Sequence, residues 1–363
     1  MANLEEMRSH RVANKAVIYN CMKDLRYVRE DTVDAYVAKY WHEDAEYHGF
    51  HPINSLYGRQ AIADGYYKLY KHSFPDAQKH LYFLFAGEFD DKEWVVTGGN
   101  LVGNFMEPFL GIPATKLCTW VRFAEFFEMR DGKIVQSKMI YDLMSLLGQA
   151  GYKFFPGVGP EIVIPGPATN DGVILGEGDP VASKKCEILT QTMCHAGLTD
   201  NLHKMEKGII PSEANLESMR QYWHPDMIWY GPDCIGTGRS IYGFEYVHEL
   251  PWEMTMSNIN HGNHFARIFE NNYVASGGYP SIYCTHTGDA LFGLPASNKE
   301  VTVRDFNFWR VEDGLIAEDW CILDVAHLLY QLGFDVLKCV REDRHYFRVH
   351  RGSVISSVNP SII

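Results

Sequence analysis

The chain repeats itself at a spacing of 182 residues. Tyr40-Trp41-His42-Glu43-Asp44 returns as Tyr222-Trp223-His224-Pro225-Asp226, and Gly111-Ile112-Pro113-Ala114 returns as Gly293-Leu294-Pro295-Ala296. Arg122 returns as Arg304, Asp131-Gly132 as Asp313-Gly314 and Asp142 as Asp324, all at the same offset (324−142). Gly58-Arg59 matches Gly238-Arg239 at 180, as loops of unequal length between shared elements require. Solenoid repeats run at about 20–50 residues, so this period marks a duplicated domain. The total of 363 residues fits two domains. Every candidate site therefore comes in two versions.

Helical spacing opens the first repeat, with Val17, Ile18, Cys21, Met22 and Leu25 on one face. Asp31 and Thr32 suit the N-cap of a second helix carrying Val33 to Trp41. A short strand over 45–50 and a helix over 59–71 follow. Long strands are then expected over 81–89, 94–105, 116–130 and 133–142, with Asp90-Asp91 and Asp131-Gly132 as hairpin turns. A short helix over 143–147 closes the repeat, with Gly148 as its C-cap. In the second repeat, helices are expected over 183–202 and 213–223, and strands over 265–269, 273–286, 300–311 and 315–324.

This order predicts an α+β fold: two cone-shaped domains, each a strongly curved antiparallel sheet with helices on the concave face. The boundaries are 1–155 for the first domain, 156–180 for a Gly/Pro-rich linker, 181–340 for the second domain and 341–363 for a C-terminal arm. The arm suits packing on a neighbouring molecule, and equally a frayed end. The long strands are apolar on both faces: Phe306 and Phe308 share one parity, Val303 and Trp309 the other. One face is expected to meet the domain's own helices. The other is expected to meet the second repeat or another subunit, so a homodimer or homotrimer is anticipated.

A formal charge of −13 argues against nucleic acid or an anionic membrane as partner. Eight cysteines without a C-x-x-C pair, and a polar start with no signal-peptide pattern, predict reduced thiols and a cytoplasmic setting. No dinucleotide fingerprint, P-loop, G-x-S-x-G or H-E-x-x-H is present in the sequence. No cofactor and no metal are expected. His261-x-x-His264 is poor zinc spacing, because strand parity would send the two rings to opposite faces.

The end of each last strand holds the leading candidates. Alternation places Trp320, Ile322 and Asp324 on one face, so a desolvated Asp324 carboxyl is expected beside apolar rings. Asp142 is its counterpart. Each Asp also suits the N-cap of the following helix, and the two roles can coexist. Arg122 and Arg304, in mid-strand, need a carboxylate or a ligand as partner. His48 occupies the position of Tyr230 on an early strand expected to line the cavity. His248, His264 and His286 are further proton-relay or contact candidates. Trp229, Tyr230, Trp320 and Tyr66 are candidate walls for an aromatic ligand.

The run Arg310-Val311-Glu312-Asp313-Gly314, then Trp320-Cys321-Ile322-Leu323-Asp324, then Leu328-Leu329-Tyr330-Gln331-Leu332-Gly333 resembles the SnoaL-like polyketide cyclase family of the NTF2-like superfamily. Asp226 to Pro232 and Gly238-Arg239 fit the same pattern. In those cyclases the Asp at the end of the last strand is the acid/base of a cofactor-free aldol closure. The resemblance thus implies Asp324 first and Asp142 second as catalytic carboxyls; the mid-strand Arg304 and Arg122 are the candidate charge holders beside them, and a His, His48 among them, or a Tyr is the candidate relay. In the first repeat Lys138 replaces the Trp, and Glu128 replaces the Arg, so the two cavities are expected to have diverged. The resemblance implies a cofactor-independent lyase, cyclase or isomerase acting on a small aromatic compound such as a polyketide or a lignin-derived diarylpropanoid. The alternative is a non-catalytic binding protein of the same fold.

Overall fold

The computed structural model describes residues 4–155, 164–194, 219–342 and 347–348. A long helix, Leu4–Asp24, leads into a short one, Val33–Tyr40. Strands β1 (Trp41–His48) and β2 (Ser55–Tyr57) follow, then an unbroken helical segment made of Arg59–Ile62, a π-helical Ala63–Lys68 and Leu69–Ser73. The meander β3 (Gln78–Phe89), β4 (Lys92–Asn104), β5 (Cys118–Arg130) and β6 (Lys133–Tyr141) completes a sheet of order β2-β1-β6-β5-β4-β3. Two-residue turns make the hairpins: Asp90 and Asp91, and Asp131 and Gly132, all have positive φ, which matches the right-handed twist of the strands they join.

After β7 (Tyr152–Lys153) and the helix Pro180–Thr192, the programme recurs. Its strands are β8 (Trp223–Tyr230), β9 (Thr237–Arg239), β10 (Met256–Asn260), β11 (His264–Glu270), β12 (Tyr273–His286), β13 (Glu300–Glu312) and β14 (Leu315–Leu323). They form the sheet β10-β12-β13-β14-β8-β9, with β11 also paired to β12. The helices Ser240–Phe244 and Leu250–Thr255 flank a second π-helical stretch, Glu245–Glu249.

The expected all-antiparallel sheet is corrected to a mixed one. β1 runs parallel to β6, and β8 parallel to β14. Each early strand precedes a helical crossover, so it re-enters beside the last strand in the same direction. Trp41 and Trp223 open strands rather than close helices. Gly148 lies inside the helix Leu143–Gln149, and Gly151 takes the left-handed turn at φ +93°. Residues 213–218 of the helix expected over 213–223, and most of the C-terminal arm, lie outside the described residues; 220–222 form a turn into β8 rather than helix. From that arm, β15 (Phe347–Arg348) folds back to pair with β7. The linker is not free either. Val173 bridges Leu84, Tyr82 donates to the Ile164 carbonyl (2.7 Å), and Ile174 enters the core between the sheets.

The two sheets pack face to face within one chain. Phe83 stacks on Phe308 (4.8 Å between ring centres) and meets Trp320 edge-on (4.8 Å), and Phe126 meets Phe306 (4.9 Å). Such pairs add about 0.5–1.5 kcal/mol each beyond simple burial. The apolar outer strand faces are thereby covered by the second repeat. Among the described residues no helix is long and apolar enough to cross a membrane.

Candidate active site

Strand parity decides which residues reach the interior of the second domain. On β13 the even positions Phe306 and Phe308 meet the other sheet, so Val303, Asp305, Asn307 and Trp309 turn inward. On β14 Trp320 and Ile322 face the other sheet, and Asp319, Cys321 and Leu323 turn inward. The inward residues line a cavity of about 270 Å³. Its walls include Trp223, Trp229, Phe244 and Trp252; His248 and Glu249 reach it from the π-helical stretch, His261 from the β10–β11 connection, and His264 and Arg267 from β11.

Asp305 is the best-furnished carboxyl there. Ser281 Oγ donates to Oδ1 and Asn307 Nδ2 to Oδ2 (2.9 Å). Burial pushes its pKa up to about 7, opposed by the Asn307 bond and the Arg267 charge. Arg267 Nη2 donates to His264 Nδ1 (3.2 Å), while its Nε has no hydrogen-bond partner. Burial and the Arg267 charge lower His264 to about 4, so the ring is neutral at pH 7 and carries its proton on Nε2. This end therefore combines a poised carboxyl, a guanidinium and a neutral imidazole.

Asp319 lies across from Trp309 in the β13–β14 register. Burial raises it to about 8, eased in part by the Trp309 indole and Arg122. Neither Asp319 Oδ1 nor Trp309 Nε1 makes a hydrogen bond of good geometry. The His248 ring stacks on Trp229 (4.5 Å) and is lowered to about 4 by burial and by His261. Glu249 is raised well above the usual carboxylate range by burial and then by Glu245, Glu253 and Asp319.

Of the residues singled out in the sequence, Trp229, His248 and His264 line this cavity. His261 reaches it too. The pair was expected to diverge by strand parity, but 261–263 is a turn with Gly262 at φ +105°, so the alternation does not apply. Among the described residues no cluster of three or more His, Cys, Asp or Glu is arranged to hold a metal.

The expected placement of the two leading aspartates is corrected. Asp324 shares its face with Trp320 and Ile322, and that face meets the other domain. Its Oδ1 caps the next helix at His327 N (3.2 Å), and its Oδ2 accepts from Arg304 Nη1 (3.0 Å) and from His51 N of the first domain (2.9 Å). Asp142 repeats this arrangement, capping at Ser145 N (3.2 Å) and accepting from Asp233 N of the second domain (3.0 Å). Asp233 and His51 are themselves 182 apart (233−51), so the contact is two-fold symmetric within one chain. Arg122 donates to the carbonyls of Tyr230 (2.8 Å) and Cys321 (2.7 Å) across the same boundary. Arg304 also donates to Asn54 Oδ1 of the first domain (2.9 Å).

The remaining candidates lie elsewhere. His48 sits between Glu46 (3.1 Å) and Ser55 (2.9 Å) on the first sheet. Tyr66 is packed in the first domain's core with its hydroxyl on Met139 Sδ (3.3 Å). Tyr230 and Trp320 belong to the core between the sheets. His286 is tied to Ser297 (3.0 Å) beyond the cavity lining. Sequence reasoning missed Asp305, Asn307, Asp319, Glu249 and Arg267. The signal was present: between Val303 and Trp309 the inward parity of β13 reads Asp305, Asn307, two polar residues in an otherwise apolar strand.

Comparison with known proteins fits this architecture. The family model for SnoaL-like polyketide cyclase matches residues 20–150 and 209–332, well over half of the chain and once per domain. Solved structures similar to it include IdmH from Streptomyces antibioticus, at 22% identity over 40% of this chain and 98% of that one (TM-score 0.30). TsrD from Streptomyces laurentii is 20% identical over 38% of this chain and 96% of that one (TM-score 0.31). A protein with a ketosteroid isomerase-like fold from Catenulispora acidiphila is 18% identical over 37% and 92% (TM-score 0.29). No curated protein matches the chain. With its motif present twice, on two mixed sheets that each carry their own helices, the chain belongs to the SnoaL-like polyketide cyclase family as a tandem duplicate.

Proposed function

We propose that the second domain is a cofactor-independent proton-transfer enzyme for a small aromatic ketone or aldehyde, and that Asp305 is its base. The observation that carries this reading is the Asp305 carboxyl, buried in a cavity and poised at about pH 7. A carboxyl in that range is matched to abstracting and returning a proton near neutrality. Asp305 takes the proton from the carbon next to the substrate carbonyl. The electron pair moves onto the carbonyl oxygen, where the unspent Arg267 Nε–H and the neutral His264 supply donors. The enolate then attacks a second carbonyl in an aldol closure, and the new alkoxide takes the proton; in the reverse cleavage Asp305 instead takes the proton of a β-hydroxyl, the carbon–carbon bond breaks with loss of an aldehyde such as formaldehyde, and the enolate carbon takes the proton. Asp305 returns the proton at the end, so the cycle balances without an external oxidant. Polyketides and lignin-derived diarylpropanoids are substrates of suitable size and chemistry. In this reading Asp324, Asp142, Arg304 and Arg122 hold the two domains together.

The test is exchange of α-hydrogens of aryl ketones into deuterated water, followed by NMR. Wild-type protein should catalyse exchange, and Asp305→Asn should lose it by about 100-fold or more. Full exchange by Asp305→Asn, with loss in Asp324→Asn, would return the chemistry to the domain boundary.

A further inference from the structure

We propose that the Trp309–Asp319 end of the cavity is a hydroxyl-recognising subsite that seats a neutral phenolic ring. The inference shares the cavity with the proposed enzyme but needs no catalysis at Asp305. Trp309 is 6% exposed and Trp223 is 1% exposed; both line the cavity, the Trp223 indole N–H has no partner, and the Trp309 indole N–H reaches only toward Asp319, without a hydrogen bond of good geometry. Asp319, 3% exposed, lines the same space with Oδ1 unpartnered. Leaving such groups buried and unpaired costs about 1–3 kcal/mol each, so the folded state retains them at the expense of stability. A phenol hydroxyl answers both kinds of group, since its oxygen accepts from an indole N–H while its O–H donates to a carboxyl oxygen. Trp229, Trp252 and Phe244 supply flat apolar walls for the ring.

Charge selects among oxygen ligands. Asp319, Glu249 and Glu245 crowd this end, and each carboxyl is pushed upward by burial. A carboxylate or phosphate would have to shed its hydration shell into this buried, acid-lined end, and a neutral hydroxyl sheds far less. The subsite lies opposite position 309, four residues along β13 from Asp305. At ~3.4 Å per residue that is about 13 Å, enough for an aryl ring and a short carbon chain between the hydroxyl and the reacting carbon.

The experiment is calorimetric titration of the full-length protein with 4-propylphenol, 4-propylanisole and benzyltrimethylammonium. The phenol should bind about tenfold more tightly than its methyl ether, because a site built to pair a hydroxyl rejects the analogue that lacks it. Trp309→Phe should remove this gap by weakening the phenol alone, and Asp319→Ala, which removes the acceptor, serves the same purpose should the Trp variant not fold. Asp305→Asn should leave the gap unchanged, which separates failure of this subsite from failure of the proposed base. Equal binding of phenol and ether, a gap indifferent to both variants, or tightest binding of the ammonium ion would overturn the proposal.

Discussion

The two domains share one backbone programme and fill it in opposite ways. Inward positions of the first domain carry Phe123, Glu125, Phe127, Ser137, Met139 and Tyr141; 182 residues later they carry Asp305, Asn307, Trp309, Asp319, Cys321 and Leu323. Tyr47 stacks on Tyr66 in the first domain (4.8 Å), and Trp229 stacks on His248 at the equivalent positions in the second (4.5 Å). Tyr67 and Tyr70 correspond to Glu249 and Trp252. In the first domain the space is taken by aromatic rings, and its one inward acid, Glu125, is paired with buried Lys79 and with Ser137 Oγ (2.7 Å). In the second, the inward side chains leave a cavity, where Asp305 is held by Ser281 and Asn307 and Asp319 Oδ1 has no hydrogen bond of good geometry. The first domain supplies packing and a partner sheet, and the second tolerates a destabilising polar interior because that support is covalently attached.

Activity should break the symmetry most strongly. Asp305→Asn is expected to reduce α-hydrogen exchange by about 100-fold or more, whereas Glu125→Gln should leave the rate unchanged under conditions where the variant stays folded. The same Glu125→Gln should instead lower stability by about 3–5 kcal/mol in denaturant unfolding, because it strands the Lys79 charge in the core. An enzyme that dies with Glu125→Gln while staying folded would place chemistry in the first domain and end the contrast.

The pH dependence of stability separates the domains next. Asp305 is raised to about 7 and Asp319 to about 8, above an unfolded value of about 3.9. Between about pH 4 and those values the native state holds protons that the unfolded chain has released, so stability is full below about pH 4 and falls as pH rises through the window. The Asp305→Asn/Asp319→Asn double variant should flatten this fall by on the order of 5–7 kcal/mol in melts taken from pH 5 to 8. Unchanged curvature would mean that neither carboxyl is buried protonated. Exchange activity should peak between about pH 7 and 8 if ionised Asp305 works beside protonated Asp319, with the two limbs belonging to the pair.

Much of this fold is legible in the sequence because it follows local rules. The repeat, the hairpins at Asp90-Asp91 and Asp131-Gly132, and the capping roles of Asp142 and Asp324 rest on short-range chemistry and appear where expected. The site is less legible. Alternation correctly grouped Asp324 with Ile322 and Trp320, but period-2 patterning does not say which face is the cavity when both faces are apolar. Because the outer face is covered by the other domain, an Asp beside Trp320 lies at a domain boundary, and the opposite parity, with Asp305 and Asp319, is the one that faces the hollow. The polar positions inside an apolar strand were the better guide, since burial of a carboxyl without a paired cation requires another reason.

The smallest expected effect concerns the boundary itself. Asp142 and Asp324 make the same two bonds, a helix cap and a backbone N–H from the opposite domain, yet only Asp324 also pairs with an arginine at 3.0 Å. Replacing either with Asn keeps an acceptor at the cap, so Ala is the informative change. Asp142→Ala should cost about 1–2 kcal/mol, chiefly through the lost cap. Asp324→Ala should cost more, because it also leaves the mostly buried Arg304 with only the Asn54 side chain and the Gly49 carbonyl as acceptors. In denaturant melts followed by tryptophan fluorescence, Asp324→Ala should separate the two domains into two transitions before Asp142→Ala does. Equal losses would show that the Arg304 pair adds nothing to the boundary and that the two halves of the pseudo-symmetric lock are equivalent in energy as well as in position.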